Sequence, residues 1–277
     1  MIFIYREWDA FCKELQAKGI HSVTACSVLS EQPQHRFLVL KHDVETDVQR
    51  AHQLAQIEAQ YGHKGTYYVQ AYLMKDKVNV DLLQSMQGMG HEISYHYDVM
   101  DACHGDLDKA LVEYAENVAL FEANGFPITT VCQHGNPVVK REGYTSNRDF
   151  FRSEKVQERY PAVADIMVDF PQKSHTEYLY FSDAGRRFKQ IYDPLNNDVV
   201  PSEEKDVAYD HVRDILPLLE QASAIISTHP HRWYRSEAAY VINLYVFRAV
   251  KAVAKTAMKV PFLKRLMSKY YYLAKKI

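Results

Sequence analysis

The sequence predicts an α/β fold, either a mostly parallel sheet or an α/β barrel, and two observations carry that prediction. Short apolar runs alternate with amphipathic segments of helical length, which is the order of repeated βα units. Ionisable side chains, namely His42, Asp43, Glu45, His96, His134, Asp183 and His229, fall at or just beyond the C-terminal ends of those runs. In both architectures that edge carries the ligand site. With 277 residues, 47% apolar and 25% charged, the chain has the composition of a folded protein with a substantial core.

Taken in order, FLVL (37–40) runs as a strand into KHDVETD. A period of two puts Asp43 and Glu45 on one face, where their charges repel unless solvent, a counter-charge or a metal ion separates them. The following segment spaces Val48, Ala51, Leu54 and Ala55 as a helix ending near Gly62. GTYYVQAYL from Gly65 reads as a strand, VDLLQSMQGMG (80–90) as a helix and HEISYHY as a strand end. DLDKALVEYAENVALFEANG (106–125) is an amphipathic helix leading into the apolar run of ITTVCQHGNP. ADIMVDFP and TEYLYFSDAGRRF read as strands, 204–222 as a helix despite Pro217, and AIISTHPHRW (224–233) as a strand broken by a proline turn.

Composition narrows the function. The net charge of -2 divides into eight basic and no acidic residues from Lys251 onward, and 25 basic against 35 acidic residues before it. An acidic body with a local basic tail does not fit a nucleic-acid enzyme. Cys12, Cys26, Cys103 and Cys132 are scattered and form no CxxC pair, as expected of reduced thiols in a cytoplasmic protein. No leader-like segment and no spanning apolar run is evident.

Histidine nitrogen and carboxylate oxygen together suit a borderline-soft divalent ion, with zinc the best match. Asp43, His96 and one further side chain would hold it. Such an ion would offset the repulsion between Asp43 and Glu45, acidify a bound water and polarise a carbonyl. The alternative is a counter-charge from Arg186, Arg187 or a protonated His42. His134 and Asn136 face the rim from QHGNP, and His229, stiffened by Pro230, is placed to deliver a proton. Asp183 orients a histidine or binds substrate, and His231 and Trp233 line the pocket.

In order, these stretches resemble the polysaccharide deacetylase family, whose catalytic domain is also named for NodB homology. LKHDVE resembles its first motif, GTYYV the next strand, GHEISYHYDVM the second motif, QHGNP the third and THPHRW the last. The likeness spans roughly residues 37–233. It implies a distorted (β/α) barrel of about seven parallel strands that removes N-acetyl groups from amino sugars in polysaccharide or glycoconjugate biosynthesis. The implied catalytic residues are Asp43, Glu45 and His229, and the implied metal ligands Asp43, His96 and His134. His42, Asn136, Asp183, Arg186, His231 and Trp233 would contact substrate. The family's second metal histidine falls at Met100, so Glu45 or His134 must complete the set if an ion binds. Competing readings are a carbohydrate-binding barrel without hydrolysis and a metal-independent isomerase or lyase.

The expected division is a barrel over 1–233 and a basic helical extension over 234–277. Within that extension, residues 251–277 mix lysines with Phe262, Leu263, Leu266, Met267 and the run Tyr270, Tyr271, Tyr272. That mixture predicts peripheral contact with the anionic inner face of the cell membrane, and with it a lipid-linked substrate. The alternative for the tail is packing on the acidic body.

Overall fold

The computed structural model describes residues 3–31, 36–136, 139–199 and 205–257. Most of the basic tail, 258–277, therefore lies outside the described residues. Two helices open the chain, α1 (Tyr5–Ala17) and α2 (Ala25–Glu31), followed by β1 (Leu38–Val44), α3 (Val48–Gln60), β2 (Gly65–Val69), α4 (Lys77–Gly88) and β3 (Glu92–Tyr97). Then come α5 (Val99–Ala102), α6 (Leu107–Ala123), β4 (Thr130–Gln133), α7 (Asp149–Arg152), α8 (Glu154–Arg159), β5 (Ala164–Asp165) and α9 (Phe170–Ser174). The last third holds β6 (Leu179–Ser182), β7 (Phe188–Gln190), β8 (Val207–Tyr209), α10 (Leu216–Leu219), β9 (Ala224–Thr228) and α11 (Glu237–Ala257).

The strands form one sheet in the order β5-β4-β3-β2-β1-β9-β6-β7-β8. The ladders from β5 through to β6 are all parallel, whereas β6–β7 and β7–β8 are antiparallel. The result is a mixed, mostly parallel α/β sheet. No ladder joins β5 to β6 among the described residues, so the strand pairing does not show the closed barrel that the resemblance implies. The two ends nevertheless share one apolar cluster. Val39, Tyr68, Cys132, Ile166, Tyr180 and Ile225 pack together on the inner face. Tyr178 Oη, just before β6, donates to the Ile166 carbonyl just after β5 at 3.2 Å.

Alternation sorts every strand. Leu38, Leu40, Phe181, Ala224 and Ile226 pack outward with Trp8, Phe11 and Leu15 of α1, which recur at helical spacing. Burying each of those large side chains contributes about 1.5–3 kcal/mol. Ile93, Tyr95, Tyr97 and Val131 join the outer core under α3, α4 and α6. Local capping fixes the helix starts after the strands. Asp47 accepts from Arg50 N at 3.0 Å at the head of α3, and Asp106 from Lys109 N at 3.2 Å at the head of α6.

Three elements differ from expectation. The 204–222 segment is not a helix: it holds the edge strand β8, a 3₁₀ turn over 212–215 and the four-residue α10 that includes Pro217. ADIMVDFP contributes only a two-residue strand before α9 begins at Phe170. TEYLYFSDAGRRF turns back at Gly185 (φ +71°) into the antiparallel β7.

A fully buried carboxylate sits behind β1. Glu58 of α3 accepts from Trp8 Nε1 at 3.0 Å and Tyr67 Oη at 2.7 Å, and lies 2.7 Å from His42 Nε2. His42 Nδ1 meets Thr228 Oγ1 at 2.6 Å, tying β1 to β9. At the start of β2, a Cβ on Gly65 would stand 2.6 Å from Glu58 Oε2 and 3.3 Å from the Leu40 carbonyl. Only a residue without a side chain fits there.

Candidate metal centre at the strand ends

Parity on β1 puts Lys41, Asp43 and, just past the strand end, Glu45 on the inner face, and His42 on the outer one. His42 is therefore not at the rim. It packs edge-on to Trp8 and stacks on Tyr67, and both its nitrogens are engaged behind the sheet. His96 on β3, Cys132 on β4 and Ser227 on β9 also point inward. His134 and His229 follow two residues beyond Cys132 and Ser227 and join the same face.

The counter-charge for Asp43 comes from within its own strand. Lys41 Nζ is 2.6 Å from both Asp43 oxygens and donates to Ser227 Oγ at 3.1 Å. Burial opposes the charge on each partner, yet their pairing holds Asp43 well below the usual carboxylate range and Lys41 above its ordinary value. Lys41 had no role in the sequence reading, although K-x-D-x-E alternation places it beside Asp43. The arginines expected to compensate the acids are elsewhere. Arg186 donates to Asn243 of α11 at 2.9 Å and lies over the Phe247 ring at 4.3 Å.

Two overlapping donor groups lie close enough to hold an ion: Asp43, His96 and Cys132, or Glu45, His96 and His134. The expected trio Asp43, His96 and His134 is divided between these two groups, which share His96. Geometry decides between the two sets. His96 Nδ1 bonds the Cys132 carbonyl at 3.0 Å, so its proton is on Nδ1 and the Nε2 lone pair faces His134 Nδ1 at 3.2 Å. Glu45 Oε1 is 3.3 Å from that same His134 nitrogen. An ion at the first set would have to compete with the Lys41 ammonium for Asp43 and with a carbonyl for His96 Nδ1. It would also need a thiolate from Cys132, whose pKa burial pushes well up. An ion at the second set would only have to displace the His134 Nδ1 proton directed at Glu45 and His96.

Charge accounting agrees. Lys41 neutralises Asp43, and Arg232 Nη1, 3.0 Å from Asp183 Oδ1, neutralises Asp183. That leaves Glu45 as the carboxylate of the cluster with no fixed cation against it. Burial raises its pKa, but hydrogen bonding to His134 together with electrostatic attraction to His134, His229 and His231 brings it well below the ordinary value. Burial likewise holds His96 neutral, its pKa lowered to about 3. A carboxylate beside two imidazoles, one of them neutral and anchored through its distal nitrogen, is a donor set that fits a divalent ion.

A second dyad faces this one. His229 Nδ1 is 2.5 Å from Asp183 Oδ1, and the His229 amide donates to Asp183 Oδ2 at 3.0 Å. Burial opposes the Asp183 charge, but His229 and Arg232 keep its pKa below normal. His229 Nε2 then points between Asp43 Oδ2, at 3.9 Å, and Glu45 Oε1, at 3.8 Å.

The remaining expected residues divide. His231 is close to His229, ring centroids 5.8 Å apart, and its Nδ1 is buried without a partner; burial and Arg232 lower its pKa to about 3. The Asn136 carbonyl accepts from Arg141 at 2.9 Å, and Arg141 is paired with Asp101. Through Asn147, which bridges Asp101 and the His134 carbonyl, that network fixes the His134 loop. Trp233 is fully buried, its ring edge-on to Phe3 and Trp8. Met100 is buried in the outer core, and the imidazole beside His96 is that of His134, just past β4.

No protein-family model matches the chain, and no curated protein or solved structure is significantly similar to it.

Proposed function

We propose that the protein is a metal-dependent deacetylase acting on an N-acetylated amino sugar through a divergent NodB-like site. The observation that carries this reading is the opposition of two units across under 4 Å, the Glu45–His96–His134 donor set and the Asp183–His229 dyad. When bound, a divalent ion supplies carbonyl polarisation and a more acidic water.

The chain's own residues supply the rest. Asp183 fixes the His229 tautomer, so Nε2 is the nitrogen that exchanges protons with the reacting centre. The 3.8 Å and 3.9 Å separations from Glu45 and Asp43 exceed a direct hydrogen bond and suit a third oxygen between them. From there His229 delivers a proton to the departing amine, while Glu45 orients the attacking oxygen. Asp43, with both oxygens on Lys41, sets the charge of the floor. His231 and Asn136 would offer contacts to sugar hydroxyls.

The test is acetate release by zinc-loaded protein from free, nucleotide-linked and lipid-linked N-acetylated amino sugars, with elemental analysis alongside. We expect about one equivalent of ion, lost in His96→Ala and Glu45→Gln. Release from none of the substrates, with the ion bound, would sink the deacetylase reading. The buried Met100 favours a second reading, a sugar-binding protein without hydrolysis, which predicts saturable sugar binding and no acetate.

A further inference from the structure

Of the eleven large apolar residues with exposed side chains among the described residues, five fall in one stretch of seven on α11: Val241, Ile242, Tyr245, Val246 and Phe247. Ile242 and Tyr245 are 65% and 64% exposed. The opposite side of the helix is occupied: Tyr240 is buried against Phe3 and Tyr234, and Leu244 packs on the same core. The exposed stripe is thus the solvent face of a docked helix, and isolated surface apolar residues do not account for such a concentration.

Charge says what covers it. From Ala238 to the C-terminus the sequence has no Asp or Glu, while Arg248 is followed by eight Lys or Arg from Lys251 onward. No helix among the described residues is long and apolar enough to cross a membrane. We infer that the exposed face of α11 forms a docking surface for an anionic lipid bilayer, with Val241, Ile242 and Tyr245 entering the interface. A second copy on this face would add another run of uncompensated positive charge, whereas anionic headgroups compensate it. The expected contact thus begins upstream of Lys251, on the helix itself.

Docking there would also orient the rim. Arg186, held by Asn243 and stacked on Phe247, stands three residues beyond Asp183. The helix and the loop that carries the His229 partner are tied together, so a bilayer bound by one lies beside the other.

The experiment is flotation of the full-length protein with phosphatidylcholine vesicles, with and without phosphatidylglycerol. We expect binding only to the anionic vesicles, falling as salt rises from about 50 to about 500 mM. The double variant Ile242→Glu/Tyr245→Glu should bind at least about tenfold more weakly while keeping its circular dichroism and sedimentation coefficient. If that variant fails to fold, Lys251→Glu/Lys255→Glu supplies the test, with about fivefold weaker binding for each charge removed. Indifference to anionic vesicles at low salt, or undiminished binding by whichever folded variant is used, would overturn the inference. So would a protein that ignores vesicles but forms a dimer dispersed by Ile242→Glu, which would assign the face to a second copy.

Discussion

His42 and His96 are both fully enclosed imidazoles beside carboxylates, and they stand on adjacent regions of one sheet. His42 has Thr228 on one nitrogen and Glu58 on the other, and Glu58 is further saturated by Trp8 and Tyr67. Each nitrogen of His42 thus has a polar side-chain oxygen within 2.7 Å. His96 has Nδ1 on a carbonyl, while its Nε2 meets His134 Nδ1, which in turn lies 3.3 Å from Glu45 Oε1, so two imidazoles and a carboxylate gather at one place. Residue type does not separate these two groups. Face and arrangement do: the outer group is a strut between α3, β1 and β9, and the inner one sets three potential ligand atoms close enough to hold an ion.

The largest effect expected from breaking the inner group is on turnover. His229→Ala should lower it by about 10²- to 10⁴-fold with ion content unchanged, measured by steady-state kinetics and elemental analysis. Loss of the ion together with activity would make His229 a ligand and not a proton donor. Next in size is a mirror-image pair. Glu58→Ala strands the Trp8, Tyr67 and His42 groups and should cost about 3–5 kcal/mol in urea unfolding, with the folded fraction still binding its ion. Glu45→Gln should remove the ion while shifting ion-free stability by no more than about 1 kcal/mol. If Glu58→Ala abolishes ion binding in folded protein, the two groups are one unit and the contrast fails.

The smallest effect sharpens the comparison with a third carboxylate. Asp165 accepts from the Tyr97 hydroxyl and from Met167 N, and burial pushes its pKa from 3.8 up to about 6. Between those pH values the folded state keeps a proton that the unfolded chain has released. Its contribution is therefore fully present below pH 3.8 and lost as pH rises through about 6. Asp165→Asn should accordingly cost less stability at pH 8 than at pH 4 in thermal melts. An equal cost at both would mean that the proton is not retained.

Much of this was legible in the chain. Strand ends announce themselves because an apolar run stops at an ionisable residue, which located Asp43, Glu45, His96, His134, Asp183 and His229. Parity along β1 was legible too, and applying it to Lys41 and His42 would have put the first in the site and the second behind it. α1 is legible as well, since Trp8, Phe11, Cys12 and Leu15 carry its period. β8 could not be read from its own residues. It is a three-residue edge strand, and its pairing with β7 makes it a strand. The partners of Arg186 are hidden for a related reason: nothing local indicates that they lie on a helix more than fifty residues away.

Gly65 and Glu58 occupy the same space, since the carboxylate fills the volume that any side chain at 65 would need. The two positions should then be exchanged together or not at all in descendants of this chain. A relative with alanine at 65 would have to shorten or discard the acid at 58, and with it the reason for a histidine at 42 and a tryptophan at 8. That dependence yields a signature of ancestry independent of the catalytic rim: glycine at the head of the second strand, glutamate seven residues before it, and an aromatic donor on the first helix. A saturation library at 65 selected for solubility should recover side chains larger than glycine only alongside changes at 58.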